Sequence, residues 1–96
     1  MRWLAMVRRH PAIPLFHILG VPLRLVIFQR LTRRPSTASE LAKELPVTRT
    51  AVVQHLTVLK TYGLVEATTD GRRRVYRTCP EALASLREWL NTHEKH

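Results

Sequence analysis

The chain has 96 residues, enough for one modest hydrophobic core and too few for two. Its 16 lysines and arginines outweigh 7 acids to leave a net charge of +9, an excess that suits a polyanionic partner, either nucleic acid or an anionic surface. The single cysteine, Cys79, excludes an internal disulfide and a multi-thiolate metal site within one chain, and Pro or Arg interrupts the apolar runs before they could span a bilayer.

Residues 1–10 set Trp3, Met6, Val7 and His10 at helical spacing, with Arg2, Arg8 and Arg9 elsewhere. The apolar run there is too short for a secretion signal, and no small-residue cleavage site follows, so the expected location is cytoplasmic. Pro14 is placed to start a short helix through Leu19, and Gly20 to end it. Helices this short need their apolar faces covered, and packing on their own domain or on a second subunit fits equally well. Pro22 then opens a helix over Leu23 to Arg33 whose sequence LRLVIFQRL is apolar nearly all round. Leu23, Ile27 and Leu31 form its stripe, widened by Val26 and Phe28. That much apolar surface exceeds what one small domain can cover, which favours a homodimer.

Thr37 and Glu40 make a capping box, and Leu41, Ala42 and Leu45 give the next short helix its inner face until Pro46 stops it. Thr48 can cap the following helix, which is expected to run to about Tyr62 with Gly63 as its stop. Counting about 100° per residue gathers Val52, Leu56 and Leu59 into a core face. Thr50, Gln54, Thr57 and Thr61 fall opposite, with Arg49 and Val53 on the flank. A solvated helix face ordinarily carries Glu and Lys pairs; this one carries amide, hydroxyl and methyl groups with no acid to repel phosphate. Two short helices about a tight turn, the second presenting such a face, predict entry into a DNA major groove.

Leu64 to Thr69 and Arg73 to Thr78 read as strands about Asp70-Gly71, with Arg72, Arg73 and Arg74 at or just past the turn. Three adjacent arginines repel one another and are poorly explained by folding, whereas beside DNA they would neutralise phosphates or enter the minor groove. Pro80 and Glu81 begin a last helix, capped by Thr78 or Cys79, with Leu83, Leu86, Leu90 and Trp89 as its apolar side.

The order of these elements is that of a winged helix-turn-helix, and residues 19–78 resemble the ArsR family of bacterial regulators. The likeness is carried by Pro22, Arg24 and Ile27, by Leu41, Ala42 and Leu45, and by Val52, His55, Leu56 and Leu59 of the recognition helix. Gly63-Leu64-Val65 and the Gly71, Arg72 and Tyr76 of the wing complete it. The resemblance implies a mainly α fold with a small β-hairpin, in the order α-α-α-α-β-β-α. It implies a single domain over residues 1–96, with 1–19 and 79–96 as dimerisation helices. It also implies a dimeric repressor or autorepressor on a palindromic operator in double-stranded DNA. The positions expected to meet DNA are Thr48, Arg49, Thr50, Val53, Gln54, His55 and Thr57, with Arg72, Arg73 and Arg74 of the wing. The family's acidic or amide cap is Val21 here, which weakens that helix start or leaves it to apolar contacts, and Val53 stands where a small polar residue is usual.

Some family members hold thiophilic metals through Cys-x-Cys at the positions of Thr37 and Ser39, neither of which supplies a thiolate. A second type of site needs a carboxylate and a His early in the last helix; His93 and His96 match only its far half, and Pro80 and Ala82 cannot ligate. No metal and no cofactor are therefore expected, and no residue names a small-molecule effector. No nucleophile with a matched base and no glycine-rich phosphate loop is present, so no enzyme is expected. The competing reading of a different class is a winged-helix interaction module whose basic face takes an acidic protein.

Overall fold

A computed structural model describes residues 12–93. The expected N-terminal packing residues Trp3, Met6, Val7 and His10, and the terminal His96, lie outside that range. In order the elements are α1 (Ala12–Leu19), α2 (Pro22–Arg33), β1 (Ser36–Thr37), α3 (Ala38–Glu44), α4 (Arg49–Thr61), β2 (Val65–Asp70), β3 (Arg73–Thr78) and α5 (Pro80–His93). This is a mainly helical winged helix-turn-helix. Helix α1 already includes Ala12, ahead of Pro14, which a proline in the first turn allows because its missing N–H has no intrahelical partner there.

Both helices of the helix-turn-helix start as the sequence predicts. Thr37 accepts the Glu40 backbone N–H at 3.1 Å while the Glu40 carboxylate accepts the Thr37 N–H at 3.0 Å, a complete capping box. Thr48 caps α4 by accepting the Ala51 N–H at 3.1 Å. At the far end of α4 the Gly63 N–H reaches the Lys60 carbonyl and the Leu64 N–H the Leu59 carbonyl, a Schellman closure that needs the positive φ of 74° at Gly63. Helix α2 has no side-chain cap. The Val21 carbonyl accepts the Leu25 N–H, and Val21 itself is 38% exposed.

The core is built by the faces expected. Ile27, Leu41, Val52, Leu56, Leu59 and Leu64 are fully buried, with Phe28, Leu31, Val65 and Tyr76 close behind. Each large aliphatic side chain removed from water contributes about 1.5–3 kcal/mol, which is what holds helices this short in place. Helix α5 lies on α1, where the Phe16 and Trp89 rings meet edge to face at 5.1 Å. Val26, which was to widen the α2 stripe, is 42% exposed with Leu25 at 38%, and Leu90 of α5 is 47% exposed.

Strands β2 and β3 form the hairpin, paired from Val65↔Thr78 to Asp70↔Arg73. Its central residues are thus Gly71 and Arg72, one place later than Asp70-Gly71, and only Gly71 has positive φ, at 62°. The sheet also has a third strand that was not expected: β1 pairs antiparallel to β3 through Ser36↔Tyr76 and Thr37↔Val75, giving the order β1-β3-β2. The wing is therefore stitched to the residue that caps α3.

Candidate nucleic-acid interface

The pairing of β1 with β3 sets the wing beside the exposed side of α4. Between them runs an open groove of about 560 Å³. Helix α4 contributes Arg49, Val53 and Thr57, the wing contributes Arg72, Arg73, Arg74 and Tyr76, and the start of α3 supplies Thr37, Ala38 and Ser39. Four arginines and no acid line it, so its field favours a polyanion. Arg49, Val53, Thr57 and the three wing arginines, chosen from sequence, thus meet at one place.

The other candidates lie around it. Gln54 and Thr50 are exposed on the outermost side of α4, about 160° and 120° around the helix from the buried Leu56. Neither is among the residues that line the groove. Thr48 is exposed at the leading tip of the helix with one lone pair committed to the cap. His55 lies on the opposite flank, half-buried. Burial first, and then the Arg24 charge, hold its pKa below the ordinary histidine value, and it does not line the groove.

The wing arginines are not equivalent, which corrects the expectation that folding leaves all three unexplained. The Arg73 guanidinium donates to Glu40 Oε1 at 3.0 Å. The Arg74 guanidinium lies over the Tyr76 ring, 5.5 Å from its centroid. Arg72 sits in the turn itself and is exposed. The Glu40 carboxylate is held below the ordinary carboxylate range by hydrogen bonds from Thr37, the backbone one foremost, and then by Arg73.

Thr37, Ala38, Ser39 and Tyr76 are the groove residues that sequence reasoning did not place there. The capping box marked where α3 starts, but only the two-residue strand brings that start to the wing. On the outward face, Thr57 donates its hydroxyl to the Val53 carbonyl and Thr61 to the Thr57 carbonyl, both at 2.8 Å. Among the described residues no group of three or more His, Cys, Asp and Glu side chains could hold a metal ion, and no helix is long and apolar enough to cross a membrane. The Cys79 thiol is half-buried and shifted upward by burial.

Residues 19–68 match a family profile described as "Helix-turn-helix domain". The HTH-type transcriptional regulator Rv2034 of Mycobacterium tuberculosis is 52% identical over 71% of the chain; the match spans 64% of that relative's own length. The HTH-type transcriptional repressor SmtB of the same organism is 33% identical over 75% of the chain and 53% of its own. Among solved structures, an ArsR-like transcriptional regulator from Rhodococcus sp. RHA1 superposes with a TM-score of 0.75 at 34% identity, covering 85% of this chain and 77% of the other.

Proposed function

The chain belongs to the ArsR-type winged helix-turn-helix regulators, and from that premise we propose that it is a cytoplasmic, dimeric transcriptional repressor binding a palindromic operator, without enzymatic activity. The observation that carries this reading is the groove between α4 and the wing. Cations line it, no acid does, and Gln54 and Thr50 are exposed on the same helix that supplies Arg49, Val53 and Thr57 to it. In this reading α4 enters the major groove and offers Gln54 to an adenine edge and the Val53 methyls to a thymine methyl, while Arg49, Arg72 and Arg74 neutralise the flanking phosphates. Repression is supported by the likeness to a relative named as a repressor. A twofold dimer is supported by the apolar surface left open at Val21, Leu25, Val26 and Leu90, and it would present one α4 to each half-site.

A band-shift titration against the duplex upstream of the protein's own gene, with a random duplex beside it, tests the proposal. Retention of the upstream duplex at salt concentrations that release the random one is the expected result. Equal and weak binding of both would overturn specific recognition and favour the interaction-module reading.

A further inference from the structure

Glu40 does not line the groove, but its carboxylate engages an arginine that does, Arg73. One oxygen, Oε1, accepts both the Thr37 backbone N–H and the Arg73 guanidinium, each at 3.0 Å. Thr37 is at once the cap of α3 and the β1 partner of Val75 on β3. Helix start, third strand and wing thus converge on a single carboxylate. Folding α3 does not need the arginine, since the capping box is complete without it. What the Arg73 pairing adds is a tie between α3 and the wing, together with neutralisation of one of the groove's cations.

Resting on the DNA-binding reading, we infer that Glu40 is a positioning and specificity residue: it holds Arg73 away from phosphate, fixes the wing against α4, and so trades sequence-independent attraction for operator discrimination. A protein with every groove arginine free would bind any duplex tightly, because phosphate contacts carry no sequence information. Withholding one leaves the balance to Gln54 and its neighbours on α4. Glu44, the nearest other acid of α3, takes no part, being paired with Arg30 of α2.

The test uses Glu40→Gln, which keeps an amide oxygen for the Thr37 N–H and removes the charge that holds Arg73. It should bind random duplex more tightly and steepen the log affinity against log salt slope by about 0.9, the signature of one more neutralised phosphate. The ratio of operator to random affinity should fall. Arg73→Gln alone should lower operator affinity through the loosened wing without flattening the slope, and in the Glu40→Gln background it should return the slope to the wild-type value. A purely structural Glu40 would change the melting temperature and leave the slope alone. A wild-type slope in Glu40→Gln, or a slope flattened by about 0.9 in Arg73→Gln alone, overturns the inference; the second variant keeps this decisive should the first fold poorly. Wild-type protein that binds no duplex at low salt would instead remove the DNA-binding reading itself, and this inference with it.

Discussion

The Thr57 hydroxyl donates to the Val53 carbonyl oxygen at 2.8 Å, so its one donor is committed within the helix. Thr57 can offer DNA only methyl surface and an acceptor, and beside it Val53 offers methyls alone. This part of the groove wall is apolar in effect although half its residues are polar in name. Thr57→Val should therefore cost operator affinity less than the roughly 0.5–1.5 kcal/mol that a neutral hydrogen bond contributes, measured by anisotropy titration. A loss as large as that of Gln54→Ala would mean that the hydroxyl turns outward on binding.

Among the described residues Gln54 has no such internal partner, and it stands exposed. Gln54→Ala should cost about 1–3 kcal/mol on the operator and far less on random duplex. Equal weakening on both DNAs would mean that another residue reads the bases.

Of the three adjacent wing arginines, Arg72 and Arg74 are not engaged by Glu40. Replacing both with Ala should weaken operator and random duplexes together and flatten the salt slope by about 0.9 for each phosphate that is no longer neutralised. An unchanged slope with weaker operator binding would assign them to base contacts in the minor groove.

His55 gives a dependence on pH whose sign is set by its environment. Burial, and then Arg24, lower its pKa in the folded protein, so the unfolded chain binds more protons as pH falls below the ordinary histidine value. The stability conferred by neutral His55 is complete above about pH 6.5 and is lost as pH drops toward the folded-state value. Denaturant midpoints measured between about pH 7.5 and about pH 5.5 should fall with acidification in the wild type and fall less in His55→Gln. Parallel curves would place the titrating group elsewhere.

Most of the helix-turn-helix was legible because its signals are local. Thr37 with Glu40, Thr48, and Gly63 are caps whose geometry is written within four residues of themselves, and the Val52, Leu56, Leu59 face follows from helical periodicity. What escaped was non-local. A strand of two residues has no alternation to detect, and Ser36 and Thr37 find their partners on β3, across two helices and a strand. The Arg73 pairing with Glu40 was hidden for the same reason, and three arginines in a row therefore read as equivalent when their surroundings make them three different groups. The hairpin turn missed by one place because Asp70-Gly71 and Gly71-Arg72 both put glycine in a central position, and only the strand register chooses between them.

Strand β3 is clasped on both sides near its C-terminal half, by β1 at Val75 and Tyr76 and by β2, whereas toward Gly71 it has β2 alone. The wing is in effect a cantilever with a clamped root and a free tip. Residue pairs added or deleted at the tip would change its reach by about 3.3 Å per strand residue without disturbing the clamp. The distance between α4 and the wing tip is thus an adjustable dimension, separable from the fold that supports it.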